Sequence, residues 1–205
     1  MAGVAFDRES LLDALDVIGA AAVVAGTTLD LAVYGGTALM LASNFRNSSE
    51  DVDVAEVTKP WSAWLAEAVA QVAKLRGWSA DWLSDAVHFH LSSLATFAGD
   101  HLEFGTFPRG KGQCGLRVFV PTAGYMLALK LKAMRINDPV KGEQETDDVR
   151  NLIIAANVAD VYAAIAILAR YFPKSAADSE KQRFFPRHIW PRDANHAPKY
   201  PSFGR

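Results

Sequence analysis

Two aspartates, Asp51 and Asp53, flank a single valine in the stretch "SEDVDVAEV". On an extended strand, residues two apart project from the same face, so both carboxylates can reach one point. Like charges at that spacing repel unless a cation stands between them. Mg²⁺ answers that need, because it takes one or two carboxylates and completes its shell with water and substrate phosphate oxygens. Upstream, Gly35 and Gly36 close the apolar run "LDLAVYGG" and precede "TALMLASNF". A glycine turn between a strand and a helix N-terminus presents backbone N–H groups to an anion. Thr37 adds a hydroxyl there. Arg46 and Ser48 or Ser49 come just before the acidic pair and suit contact with phosphate. Together these residues describe a nucleoside-triphosphate site, with Asp51 and Asp53 as the metal ligands.

The elements that must position this set can be read from periodicity. "DRESLLDALDVIGAAAVVAG" repeats apolar residues at helical spacing and stops at Gly26. "LDLAVYGG" predicts a short buried strand, "TALMLASNF" a helix with Thr37 near its start, and "SEDVDVAEV" a strand with one wet face. "WSAWLAEAVAQVAKLRGW" predicts an amphipathic helix closed by Gly77. "AVHFHLSS", "DHLEFGTF" and "LRVFVP" are strand candidates. From Gly124 the pattern is helical, through "GYMLALKLKAMR" and "ETDDVRNLIIAANVADVYAAIAILARYF". The order implies an α+β fold with a core over 1–122 and a helical C-terminal part over 123–180. A tail over 181–205 follows, where prolines break regular structure between basic and aromatic residues. That tail is expected to be an extended arm, or a surface for nucleic acid or a partner.

Composition narrows the class. The chain has 205 residues, half of them hydrophobic, a net charge of −2 and one cysteine, Cys114. These values fit a globular protein, exclude an internal disulfide, and argue against coating nucleic acid by bulk attraction. No secretory signal is legible at the start, and "VIGAAAVVAG" is too short to span a bilayer, so a cytoplasmic location away from the membrane is expected.

The text "GGTALML…FRNSSEDVDV" resembles the G-G-[ST]-A-L…R-x-[ST]-x-D-[IV]-D signature of the AbiEii-like and MenT-like nucleotidyltransferases. These belong to the superfamily that includes DNA polymerase β, and many are toxins of bacterial toxin–antitoxin or abortive-infection systems. One more residue stands between Arg46 and Asp51 than in the pattern, so the hydroxyl position falls to Ser48 or Ser49. A second block agrees: "LALKLKAMR" and "ETDDVRNLI" resemble the family's lysine helix and its acidic helix start. The resemblance implies a polymerase-β-like core, a mixed sheet flanked by helices. It implies Mg²⁺ as cofactor, and transfer of a nucleoside monophosphate from an NTP to a hydroxyl. The acceptor would be a tRNA 3′ end or a protein side chain, and a cognate antitoxin would be a partner.

In that family a lysine and a late aspartate belong to the active site. Helical geometry selects within each block. Leu127, Leu131 and Met134 share a stripe that Lys130 flanks and Lys132 does not. Asp148 borders the stripe of Val149, Leu152, Ile153 and Ala156, whereas Asp147 faces away. Lys130 is thus the candidate for the triphosphate, and Asp148 the acid that orients it or Arg135. Polymerase-β-like sites usually have a third carboxylate on a neighbouring strand. Glu103 in "HLEF" is the candidate, Asp100 the weaker one. Asp53 or Glu103 would take the acceptor's proton. His88 and His90 are expected to share a strand face without forming a metal site. A non-catalytic nucleotide-binding relative that acts through a protein partner is the alternative.

Overall fold

The computed structural model describes residues 4–43, 45–55, 61–110, 112–134 and 142–177. These form two compact units. One comprises the described residues of 4–89 and 101–120, the other those of 90–100 and 121–177. The segment 90–100 thus belongs with the helical part, although it lies within the expected core in sequence.

The first unit opens with β1 (Phe6–Asp7) and α1 (Arg8–Val24). Asp7 caps α1, its carboxylate accepting from Ser10 N at 2.9 Å. Leu11, Leu15, Ile18 and Ala22 then bury one face completely. The apolar run becomes β2 (Leu29–Val33), and α2 (Gly35–Ala42) begins at the first glycine, two residues before Thr37. Next come β3 (Ser48–Ser49) and β4 (Val52–Ala55). Helix α3 (Ala63–Arg76) ends on Gly77 in the left-handed conformation, φ +68°, as the sequence pattern predicts. β5 (Leu83–Ser84), β6 (His101–Phe107) and β7 (Leu116–Pro121) complete the strands.

Five strands form one sheet in the order β5-β4-β2-β7-β6. β2 runs antiparallel to β4 and parallel to β7, and β4 runs parallel to β5, so the sheet is mixed and the fold α+β. Leu31, Val33, Val52, Val54, Leu116, Val118 and Val120 are all buried and make its apolar face. The opposite face carries Asp53 and Tyr34. α1 packs against α3 and β6, and α2 against β3 and β4. β1 pairs separately with β3, matching Phe6 with Ser49 and Asp7 with Ser48.

The stretch "AVHFHLSS" is not a strand. Residues Ala86–His90 form a 3₁₀ turn instead. Ser84 Oγ accepts from Ala86 N and Asp85 O from His88 N, each at 3.2 Å, so local bonds replace a ladder. Phe89 is 84% exposed, which shows the segment has no apolar face to bury. His88 and His90 consequently share no strand face.

The second unit is helical: α4 (Phe97–Asp100), α5 (Ala123–Ala133), α6 (Gly142–Ala155), α7 (Val161–Tyr171) and α8 (Pro173–Ala176). The long helical stretch predicted from Glu145 onward is broken between α6 and α7. Asn157 has φ +52° there, and Asp160 caps α7 by accepting from Ala163 N at 2.8 Å. α5 packs on both α6 and α7, and Leu127, Leu131, Val149, Leu152 and Leu168 of these helices are buried. Buried Asp100 ties its loop to α7: it accepts from Tyr171 Oη at 2.6 Å and pairs with Arg170 at 3.2 Å, while Thr96 N donates to it at 2.7 Å. These bonds give Asp100 a structural task within the second unit.

Candidate functional site

The turn from β2 into α2 brings Gly35, Gly36, Arg46 and Asp53 together. Tyr34 N donates to Asp53 O at 2.8 Å, which extends the β2–β4 ladder to the last residue before the glycines. Gly35 has φ +66°, and a β-carbon built there would stand 2.8 Å from Asp53 Oδ2. The Asp53 carboxylate therefore occupies the space that a side chain at position 35 would fill, at the first turn of α2. A β-carbon on Gly36 would stand 3.5 Å from a terminal nitrogen of Arg46. One glycine thus carries a carboxylate over it, the other a guanidinium.

Backbone geometry around Asp51 is set by two hydroxyls. Thr37 Oγ1 donates to Asp51 O at 2.5 Å, and Ser49 Oγ donates to the same oxygen at 3.0 Å. Thr37 is buried, so its hydroxyl shapes the acidic segment and does not face a ligand. Ser48 is exposed and Ser49 half-buried, both held in β3 by β1. Asp51 is exposed and Asp53 half-buried, while Val52 and Val54 turn into the core. The alternation expected of a strand with one wet face is present.

Glu103 does not join this group. It lies on β6, and β2 and β7 intervene between β6 and β4. At about 4.8 Å per strand, that separation is roughly 14 Å. Its charge acts on Arg117, whose pKa is raised first by the hydrogen bond to Asp30 and also by Glu103. Arg117 pairs with Asp30 at 2.6 Å near the start of β2, away from the Tyr34 end.

Lys130 and Asp148 belong to the second unit, where they form an ion pair at 2.8 Å. Asp148 is buried, and Lys130 retains 19% of its side-chain exposure. The helical stripe separates the candidates as expected. Asp147 is exposed and pairs with Arg150 three residues on, and Lys132 donates to His90 O at 2.7 Å while lying over Phe172. Arg135 and the 181–205 tail lie outside the described residues.

Sequence reasoning missed Tyr34 and His101. Tyr34 Oη and His101 Nε2 are hydrogen-bonded at 2.8 Å with their rings edge to face. Only the strand order β2-β7-β6 reveals that pairing.

Among the described residues, no group of three or more His, Cys, Asp or Glu side chains is placed to hold a metal ion. The donor set at β4 suits Mg²⁺, which commonly takes one or two carboxylates and draws its other oxygens from water and phosphate. The carboxylate seated over Gly35 beside a helix N-terminus matches that usage. No helix among the described residues is long and apolar enough to cross a membrane. The fold and the site define a mixed α+β protein with the Asp53 carboxylate set against a glycine turn. Comparison with protein-family models, curated proteins and solved structures finds no match.

Proposed function

We propose that the first unit binds a nucleoside triphosphate with Mg²⁺ and transfers its nucleoside monophosphate to a hydroxyl, as a toxin of a bacterial toxin–antitoxin or abortive-infection system would. The observation that carries this reading is the Asp53 carboxylate over Gly35, with the Arg46 guanidinium over the adjacent glycine. A triphosphate bound there would meet backbone N–H groups at the start of α2, a cation from Arg46, and hydroxyls from Ser48 and Ser49. Asp51 and Asp53 would hold Mg²⁺, which would supply charge neutralisation for the leaving pyrophosphate. Asp53 accepts the proton of the attacking hydroxyl. The acceptor is a tRNA 3′ end or a protein side chain. The proposed site is built from residues of the first unit, to which Lys130 and Asp148 do not belong.

A second reading, nucleotide binding without transfer, is favoured by one observation: Glu103 lies strands away, so among the described residues no third carboxylate joins the pair. Transfer from each α-labelled NTP, with Mg²⁺, to total tRNA and to cell lysate separates the two. Label on RNA or protein that is lost in Asp53→Ala supports the transferase. Mg²⁺-dependent NTP binding without label supports the second reading. Neither binding nor label from any NTP overturns both.

A further inference from the structure

Tyr34 is 3% exposed, yet it places a hydroxyl where a phenylalanine would pack without needing a partner. A buried hydroxyl costs free energy unless it is hydrogen-bonded, and here His101 supplies the bond at 2.8 Å from β6. Three constraints meet on this one residue. Its N–H donates to Asp53 O, its carbonyl accepts from Ala38 N at 3.1 Å inside α2, and its ring is fixed by His101. Ala32 faces Ala55 and Val33 faces Val54 across the ladder, so Tyr34 lies opposite Asp53 on the same face of the sheet. The next residue is Gly35, whose bare α-carbon receives the Asp53 carboxylate. A small rotation of Tyr34 would change that approach directly.

We propose that Tyr34 and His101 are positioning residues for the candidate site, and that their hydrogen bond holds the Gly35 turn at its distance from Asp53. β6 then serves the site through His101, not through Glu103. The kinetic consequence rests on the nucleotidyltransferase reading; the structural consequence does not. Three variants test it: Tyr34→Phe, which keeps the ring; His101→Phe, which removes the partner; and His101→Gln, which keeps a polar group near the Nε2 position. In ¹⁵N-correlated NMR spectra the amides of Gly35, Gly36 and Asp53 should shift in the two phenylalanine variants, and His101→Gln should return them toward wild type. Amides of Ala68 and Val72 in α3 should stay in place in all three. With Mg²⁺ and NTP, both phenylalanine variants should lose transfer about tenfold or more, and His101→Gln should recover most of it. Unmoved Gly35 and Asp53 amides, or shifts spread equally through α3, would overturn the proposal. So would failure of His101→Gln to restore the spectrum. If wild type neither binds nor transfers any NTP, the functional reading falls, and the amide shifts alone decide the positioning role.

Discussion

A methyl group on Gly35 would meet Asp53 Oδ2 at 2.8 Å in a backbone conformation of φ +66° that side chains rarely adopt. The left-handed conformation alone costs a non-glycine residue about 1–2 kcal/mol, before the displaced carboxylate is counted. Gly35→Ala should therefore lower stability by more than about 1–2 kcal/mol in urea unfolding and abolish Mg²⁺-dependent NTP binding. Gly36→Ala meets Arg46 only at ordinary contact distance and lacks a positive φ, so it should cost less than half as much. Thr37→Val removes a buried donor from Asp51 O, which Ser49 still serves, and should cost about 1 kcal/mol. The two glycines, Arg46 and Asp53 were legible as a set from their chemical types and spacing, and the structure brings these four together. Thr37's actual task was not legible, since a hydroxyl beside a glycine turn reads the same whether it faces a phosphate or a carbonyl.

At the scale of elements, legibility followed length. α1 and α3 declared themselves by apolar spacing and a cap or a stop, and their bounds lie close to those read from the sequence. β1, β3 and β5 are two residues each, too short for any period to register. The stretch at Ala86–His90 looked like a strand because its composition suits one, but serine and aspartate side-chain and carbonyl bonds close it into a turn. The second unit carries a prediction that depends on pH. Burial pushes the Asp100 carboxyl up, but the hydrogen bonds from Tyr171 and Thr96 and the charge of Arg170 outweigh it and hold the pKa below its ordinary value. The stability this contributes is complete above the unfolded value of about 3.9 and is lost as pH falls through the lower folded value. Tyr171 titrates at the opposite end, pushed up to about 12 by burial and then by Asp100. Its contribution is complete below the unfolded value of about 10 and is lost as pH rises towards 12. Tyr171→Phe should flatten both limbs of a plot of urea midpoint against pH, and an unchanged acid limb would remove Asp100 from this role.

For the molecule as a whole, the helical unit is cemented by charge as well as by apolar packing. Lys130→Met leaves the buried Asp148 carboxylate without its ammonium partner and should cost about 3 kcal/mol, as one-sided removal of a buried pair does. The double variant Lys130→Met/Asp148→Leu should recover much of that loss, measured by urea unfolding. Any loss of transfer in a Lys130 variant must accordingly be read beside its unfolding curve. The first unit has a different vulnerability, because its sheet is assembled from distant parts of the chain. β2 is central to the sheet, yet its parallel partner β7 arrives 87 residues later, as the Asp30–Arg117 pairing shows. During synthesis at about 5–20 residues per second, β2 waits roughly 4–17 s with one edge unpaired. Its apolar residues would be open to wrong strands throughout that interval. A ribosome paused before β7 has left its exit tunnel would therefore hold a nascent chain with β2 open at one edge, and elongation past that point would let it close.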